Sequence, residues 1–319
     1  MSSTEYKQGI NDDWLKYLPG QIAVLYGGNS AEREISLQSG GAVLRALIDQ
    51  GIDAVAIDTK ESEWLQLVAG NISHCFIALH GEGGEDGKVQ GALESLGVSY
   101  TGSGVLASAF AMDKLRCKYL WKGMGLSTPD FVQLSEKSDW QSLIDTFGAL
   151  MVKPSHEGSS IGMAIAENAE ELRQAFLCAK EFDCEVMAEQ YIRGAEFTVA
   201  ILGETVLPPI RLETDNVFYD YEAKYISDDT RYICPCGLSA ELEIQLKQLA
   251  NAAFNSLGCK GWGRVDVMQD EKGKFYLLEI NTVPGMTNHS LVPMAAKQAG
   301  LAFEELVVEI LKQSVVVTA

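Results

Sequence analysis

The sequence predicts an α/β protein with an N-terminal lobe on a parallel, doubly wound sheet and two further α/β lobes behind it. Three observations predict this. Short apolar runs alternate with segments whose apolar residues recur at helical spacing, the signature of strand–helix–strand units. The pattern changes style near residue 110, and a second boundary near 185 divides the chain into 1–110, 111–185 and 186–319. Apolar residues make up 47% of 319, enough for a sizeable core in one large domain or several small ones.

The elements follow in order. Ile22 to Tyr26 is a continuous apolar run closed by Gly27-Gly28, a buried strand and a turn. Ile35, Val43, Leu44, Leu47 and Ile48 then fall at helical spacing up to Gly51. Ala54 to Ile57 and Cys75 to Leu79 give two more strands, and the polar, glycine-rich stretch His80 to Gly87 leads into a helix. Beyond 110 the predicted order is helix 113–123, strand 150–153, a Gly/Ser loop, strand 163–166, helix 169–180, and strands 185–191 and 196–202. A long loop over 213–235, rich in Asp and Tyr, precedes helix 239–257. Strands 262–268 and 274–280 form a hairpin turned by Asp270-Glu271-Lys272-Gly273, and an amphipathic helix begins at Leu301. The sequence contains no internal repeat.

Charge narrows the function. Asp and Glu number 44 against 25 Lys and Arg, a formal net charge of -19. Such a field repels nucleic acid and anionic lipid, yet leaves room for a nucleotide in a pocket with its own lysines. Residues 1–20 carry Glu5, Asp12 and Asp13 and lack the apolar core of a secretion signal. No run approaches the ~18 apolar residues of a membrane helix. Seven scattered cysteines, an odd number, fit reduced thiols in a cytoplasmic protein. Cys234-Pro235-Cys236 hints at metal or redox chemistry, but no second Cys or His pair stands near it.

The hairpin is the most informative segment. Residues two apart in a strand face one side, which groups Arg264, Asp266 and Met268, and likewise Leu277, Glu279 and Asn281. Asp266, Glu279 and Asn281 then converge as hard oxygen ligands of the kind Mg²⁺ takes. An exposed strand face with ordinary charges is the other reading. Lys153, between Val152 and Pro154, needs an anion or a path to solvent, and snorkelling at a strand end would also satisfy it. The segment Ser155 to Gly162 after it has the composition of a hairpin that covers phosphates, or of an ordinary turn. Lys114 falls in the first turn of a helix capped by Asp113, where the dipole disfavours a cation unless a phosphate binds there. Asn29 and Glu32 fit a capping-box spacing, and Glu32 also stands at the tip of a parallel strand, where α/β sheets bind ligands. Gly27-Gly28 falls short of the dinucleotide-binding fingerprint, which excludes a dehydrogenase of that type.

Several segments together carry a resemblance. They are Gly27 to Glu34, Ala78 to Gly81 with Gly83 to Gly87, Val152-Lys153-Pro154 with Glu157 to Ser160, and Gly263 to Asp266 through Glu279 to Thr282 and Pro284 to Thr287. In this order and spacing, from about Gln21 to Leu311, they closely resemble the D-alanine–D-alanine ligases of the ATP-grasp superfamily. The resemblance implies a three-lobed architecture in which two lobes clasp ATP behind an N-terminal α/β lobe. It implies ATP contacts from Lys114, Lys153, Glu189, Gln190, Ile192, Glu196 and Lys224, with two Mg²⁺ ions (Mn²⁺ as a substitute) on Asp266, Glu279 and Asn281. Glu32, with His80 nearby, would receive the first D-alanine's ammonium, and Ser290 the second D-alanine's carboxylate. Arg264 and the Gly285 N–H would form an oxyanion site, and a lid over 213–235 would close through Tyr225, Ser159 and Glu32.

The implied reaction phosphorylates one D-alanine and lets the second attack as a free amine, making D-alanyl-D-alanine for peptidoglycan precursors. The family further implies a homodimer through the N-terminal lobe. D-alanine–D-lactate and D-alanine–D-serine ligases are the nearest rivals, and Tyr225 argues against them by resemblance. An inactive ATP-binding relative would lack some ligands or lysines, and here each is present.

Overall fold

The computed structural model describes Trp14, Leu18 and residues 20–158, 160–182, 184–213, 230–287 and 289–315. Strands β1 (Gln21–Tyr26), β2 (Ala54–Asp58), β3 (Ile72–Ile77) and β4 (Ser99–Tyr100) form a parallel sheet in the order β2-β1-β3-β4. Helices α1 (Arg33–Asp49), α2 (Trp64–Asn71) and α3 (Lys88–Leu96) make the crossovers. The third strand begins three residues of pairing earlier than its apolar run, because backbone pairing with β1 recruits Ile72 and His74. On α1 the buried stripe is Ser36, Ser39, Gly40, Val43, Ala46 and Leu47. Gly40 is needed there, since a Cβ would stand 2.4 Å from the Tyr26 Cβ. Ile48 turns out to solvent, a helical step away from that stripe.

Helices α4 (Val105–Met112) and α5 (Lys114–Gly123) lead to an antiparallel sheet of β5 (Phe131–Leu134), β8 (Val186–Gln190), β6 (Leu150–Pro154) and β7 (Ala164–Ala166) in that order. Helices α6 (Trp140–Phe147) and α7 (Ala169–Lys180) cover it, burying Leu150, Val152, Leu172, Phe176 and Val186 together.

A third, larger antiparallel sheet runs β12 (Arg231–Ile233), β11 (Ile210–Glu213), β9 (Gly194–Leu202), β13 (Trp262–Asp270), β14 (Phe275–Asn281), with β10 (Thr205–Val206) on β9. The loop expected over 213–235 is therefore shorter at both ends: Glu213 and Arg231–Ile233 are strand, paired as β11 and β12. Its remainder, 214–229, lies outside the described residues. Helix α8 (Ala240–Ser256) packs on this sheet with α4 and α5, through Trp121, Phe254, Phe197 and Val267. The last helices, α9 (Leu291–Gln298) and α10 (Phe303–Lys312), bury Leu306, Val307, Ile310 and Leu311 in the core of the first sheet. Packing thus crosses the sequence order, and the three sheets meet around one cleft.

Candidate active site

The cleft is built first by β13 and β14. Arg264 stands opposite Asn281 and Asp266 opposite Glu279, but Val267 pairs with Leu277. Leu278 is thus the extra residue of a β-bulge. This overturns the expectation that Leu277 shares a face with Glu279 and Asn281: Leu277 lies wholly in the core with Val265, Val267 and Ile280. The bulge resets the alternation, so apolar Leu277 and Ile280 both turn inward while Glu279 and Asn281 turn to the cleft. Asp266 is buried, and its carboxylate accepts from Thr198 Oγ1 (2.6 Å), Arg264 Nε and Nη2 (2.9 and 2.7 Å) and Asn281 Nδ2 (3.1 Å).

Lys114 opens α5, and Asp113 caps that helix by accepting from the Arg116 N–H, as expected. The buried Lys114 ammonium donates to the Glu157 carbonyl (2.7 Å) and lies 3.2 Å from Glu279 Oε2. Asp113 also accepts from His156 at 3.0 Å, which ties the loop after β6 to the helix start. Burial pushes the Asp113 carboxyl up, but His156 and Arg116 outweigh it and hold the group at about 2. The same hydrogen bond raises His156 above an ordinary histidine.

Lys153 finds its anion inside the protein: it pairs with Glu189 Oε1, while Lys118 pairs with Glu189 Oε2. Snorkelling to solvent is excluded, since Lys153 is only 6% exposed. Burial disfavours the Lys153 charge, yet Glu189, with Glu279 and Glu196 beyond it, raises the group overall. Burial likewise opposes the Glu189 charge, and the two lysines hold it below the usual carboxylate range. The two lysines thus take one oxygen each of the Glu189 carboxylate. Ile192 is buried nearby, Glu196 is half-buried on β9, and Gln190 ends β8 at the surface.

On the N-terminal side, Glu32 is the N-cap residue of α1, but its side chain makes no capping bond, and the helix begins at Arg33. The capping-box expectation is therefore overturned. Ser30 serves the turn instead: its Oγ accepts from the Glu32 N–H and donates to the His80 carbonyl. The Glu32 carboxylate faces Gly81 and Gly158, where an added Cβ would come within 2.7 and 3.2 Å of Oε2. Glu32 lines a cavity of about 520 Å³ with Ser30, Gly81, Met112, His156 and Gly158.

His80 is buried and neutral, its pKa lowered mainly by burial. Its Nδ1–H donates to the Val283 carbonyl (2.9 Å), and Nε2 accepts from Ser39 Oγ (3.0 Å). Ser39 in turn accepts from the Met286 N–H, so His80 secures the turn that carries Gly285. Ser290 caps α9 in position, and its Oγ accepts from the Thr287 N–H at 2.9 Å. Ser159, Lys224 and Tyr225 lie outside the described residues.

Three residues escape a sequence reading. Glu85 is half-buried in a crevice with Lys114, Glu279 and Asn281. Burial, with the charges of Glu32 and Glu279, pushes its carboxyl well above the usual range against Arg264 and Lys114. Thr198 on β9 reaches Asp266 across the ladder. Lys118 had a visible signal: it falls at i+3 and i−3 from Leu115 and Trp121, on the buried face of α5. Among the described residues, no three His, Cys, Asp or Glu side chains cluster as metal ligands; the trio here is two carboxylates and an amide. Cys234 and Cys236 are free thiols, Cys234 pushed up to about 11 by burial.

Known proteins share this architecture. The family model "D-ala D-ala ligase C-terminus" matches residues 120–312. A D-alanine–D-alanine ligase of Saccharophagus degradans is 55% identical over 298 residues, 93% of this chain and 95% of that protein. Two structures of the D-alanine–D-alanine ligase from Bacillus anthracis, the second complexed with ATP, superpose with TM-scores of 0.84 and 0.82 at 36% and 34% identity. Each alignment covers 92% of this chain and 97% of that one. The VanG D-Ala:D-Ser ligase from Enterococcus faecalis aligns at 31% identity and a TM-score of 0.81, over 93% of this chain and 99% of its own. On identity, coverage and fold alike, this chain belongs to the D-alanine–D-alanine ligase family.

Proposed function

We propose that this enzyme uses ATP to join two D-alanine molecules into D-alanyl-D-alanine through a D-alanyl phosphate, for peptidoglycan precursor synthesis. The register of Asp266 opposite Glu279, beside Lys114 in a chain 55% identical to D-alanine–D-alanine ligases, carries this reading. A carboxylate is a poor electrophile, so the γ-phosphate of ATP first activates the first D-alanine. Lys114 and Lys153 hold the phosphates; Glu189, Gln190, Ile192 and Glu196 hold the base and ribose, with Lys224 from the lid.

Asp266, Glu279 and Asn281 fit Mg²⁺, or Mn²⁺ in its place. The donors are hard oxygens, and Asn281 already lays its amide against Asp266 at 3.1 Å, so a turn of the amide presents its oxygen. Bound there, the metal would offset phosphate charge during transfer.

Glu32 receives the ammonium of the first D-alanine, and His80 keeps the Gly285 turn in place behind it. Arg264 and the Gly285 N–H stabilise the tetrahedral oxyanion; losing one such donor typically costs ~10²–10³ in rate. Ser290 binds the second D-alanine's carboxylate. Closure of the lid through Tyr225 and Ser159 excludes water from the acyl phosphate. The three sheets support three lobes with a first division near 110; because β8 pairs with β5 and β6, they favour a second division just after Gln190 over one near 185. The enzyme acts as a cytoplasmic homodimer, a reading that the seven free cysteines support for the reducing compartment. Among the described residues, no helix is long and apolar enough to cross a membrane.

The test is phosphate release with ATP and Mg²⁺, comparing D-alanine, L-alanine, and D-alanine mixed with D-lactate or D-serine, with products weighed by mass spectrometry. Turnover on D-alanine alone, giving the dipeptide, is expected. Turnover only with a mixed pair would move the enzyme to one of the rival ligases.

A further inference from the structure

We propose that Lys118 is a positioning residue of the nucleotide site: it keeps the Glu189 carboxylate compensated when Lys153 turns from Glu189 to a nucleotide phosphate. The proposal rests on the assignment of Lys153 to the ATP phosphates given above.

The observation is a buried cluster of one carboxylate and two ammoniums. Glu189, the last residue but one of β8, is 2% exposed, with Lys153 on one oxygen and Lys118 on the other. The two lysines are held differently. Lys118 is 0% exposed and comes from the helix behind the sheet. Besides Glu189, its ammonium donates to Thr128 Oγ1 (2.8 Å) and to the Leu277 carbonyl (3.4 Å). Thr128 Oγ1 donates to that same carbonyl (2.9 Å), which closes the anchor. Three donors meet three partners, so Lys118 has nothing to gain by moving. Lys153 sits on β6 next to Pro154, with Glu279 and Glu196 in its field, and Glu189 is the partner its ammonium meets.

Charge explains why both lysines are needed. With two ammoniums against one carboxylate the cluster carries one positive charge in excess. When Lys153 swings to a phosphate, Glu189 and Lys118 remain as a balanced pair. If Lys153 were the sole counter-ion, the same movement would strand a buried, uncompensated carboxylate, which is strongly unfavourable. Glu189 and ATP would then compete for one lysine. Lys118 removes that competition and leaves Glu189 in place for the base.

The test is a double-mutant cycle read as KM for ATP, kcat and KM for D-alanine, with a thermal melt of each variant. K118M should raise KM for ATP at least about tenfold, with kcat and KM for D-alanine within about threefold. In the E189Q background, where no charge competes for Lys153, adding K118M should shift KM for ATP by less than about threefold. An unchanged KM for ATP in K118M, or an equally large loss in both backgrounds, overturns the proposal. Should K118M fail to fold, E189Q against K118M/E189Q decides: near-equal KM for ATP supports it, a tenfold gap overturns it. K153M separates the two levels. If K153M binds ATP like the wild type, the phosphate assignment of Lys153 is wrong; if K153M is impaired while K118M is not, only the role of Lys118 falls.

Discussion

Asp266 and Glu279 stand opposite one another on β13 and β14, one step of the ladder before the bulge at Leu278. The bulge lets a single strand serve two masters. Leu277 and Ile280 fill the core between the sheet and α8, while Glu279 and Asn281 reach the cleft. A strand without the extra residue would put one of these pairs on the wrong side.

Glu279→Gln keeps the volume and the strand but removes a charge from the set facing Lys114. Turnover should fall by about 10²-fold or more, partly recoverable at high Mg²⁺, with the thermal melt unchanged. Phosphate release across a Mg²⁺ titration measures this. Near-normal turnover at low Mg²⁺ would remove Glu279 from the ligand set.

Gly81 adopts φ +68, and a Cβ there would come 2.7 Å from Glu32 Oε2. Gly81→Ala should displace that carboxylate and strain the turn by about 1 kcal/mol. The expected signature is a KM for D-alanine raised about tenfold, with KM for ATP nearly unchanged. Equal KM values for D-alanine in the two proteins would separate Glu32 from the first substrate.

Arg33 grips Asp58 through two hydrogen bonds (3.0 and 2.6 Å), and the Gly28 and Lys60 N–H groups add two more. The Arg33 bond first, then these amides, hold the Asp58 carboxyl at about 2 from an ordinary 3.8. A depressed folded-state pKa stabilises above the unfolded value and is lost as pH falls from about 4 through about 2. Asp58→Asn should therefore destabilise near pH 7, on the order of 1 kcal/mol after solvent screening. The gap in melting temperature should close toward about pH 2. A gap as wide in acid as at neutrality would refute the linkage.

Gly194 pairs with Asp270 across β9 and β13, at φ +154, where a Cβ would sit 1.9 Å from the Gln269 carbonyl oxygen. That neighbour is backbone in a ladder and has little room to yield. Gly194→Ala should lose about 3 kcal/mol or more in urea unfolding, because the two strands must part locally. A midpoint within experimental error of the wild type would show that the ladder end relaxes freely.

Much of this molecule is legible along the chain. The period-two spacing of Arg264, Asp266, Glu279 and Asn281 marks one cleft face, and that face forms. Asp113 before Lys114 marks a helix start, and the cap is made. The misreadings share a cause. Leu277 is misassigned because a bulge depends on the partner strand, and Arg231–Ile233 looks like loop because an edge strand is defined by its neighbour. The spacing of Asn29 and Glu32 suits a capping box, but Ser30 takes over the turn by reaching His80, fifty residues further on.

The α/β class, most of the elements and the kinds of chemistry present follow from the order of residues alone, because propensity, periodicity and residue type act over a few neighbouring positions. Which distant charges meet was left to the tertiary fold: Lys153 and Lys118 on Glu189, and Lys114 beside Glu279. Those pairings depend on how strands register and which helix packs behind which sheet. Both are set by burial summed over the whole chain, which no local stretch of sequence contains.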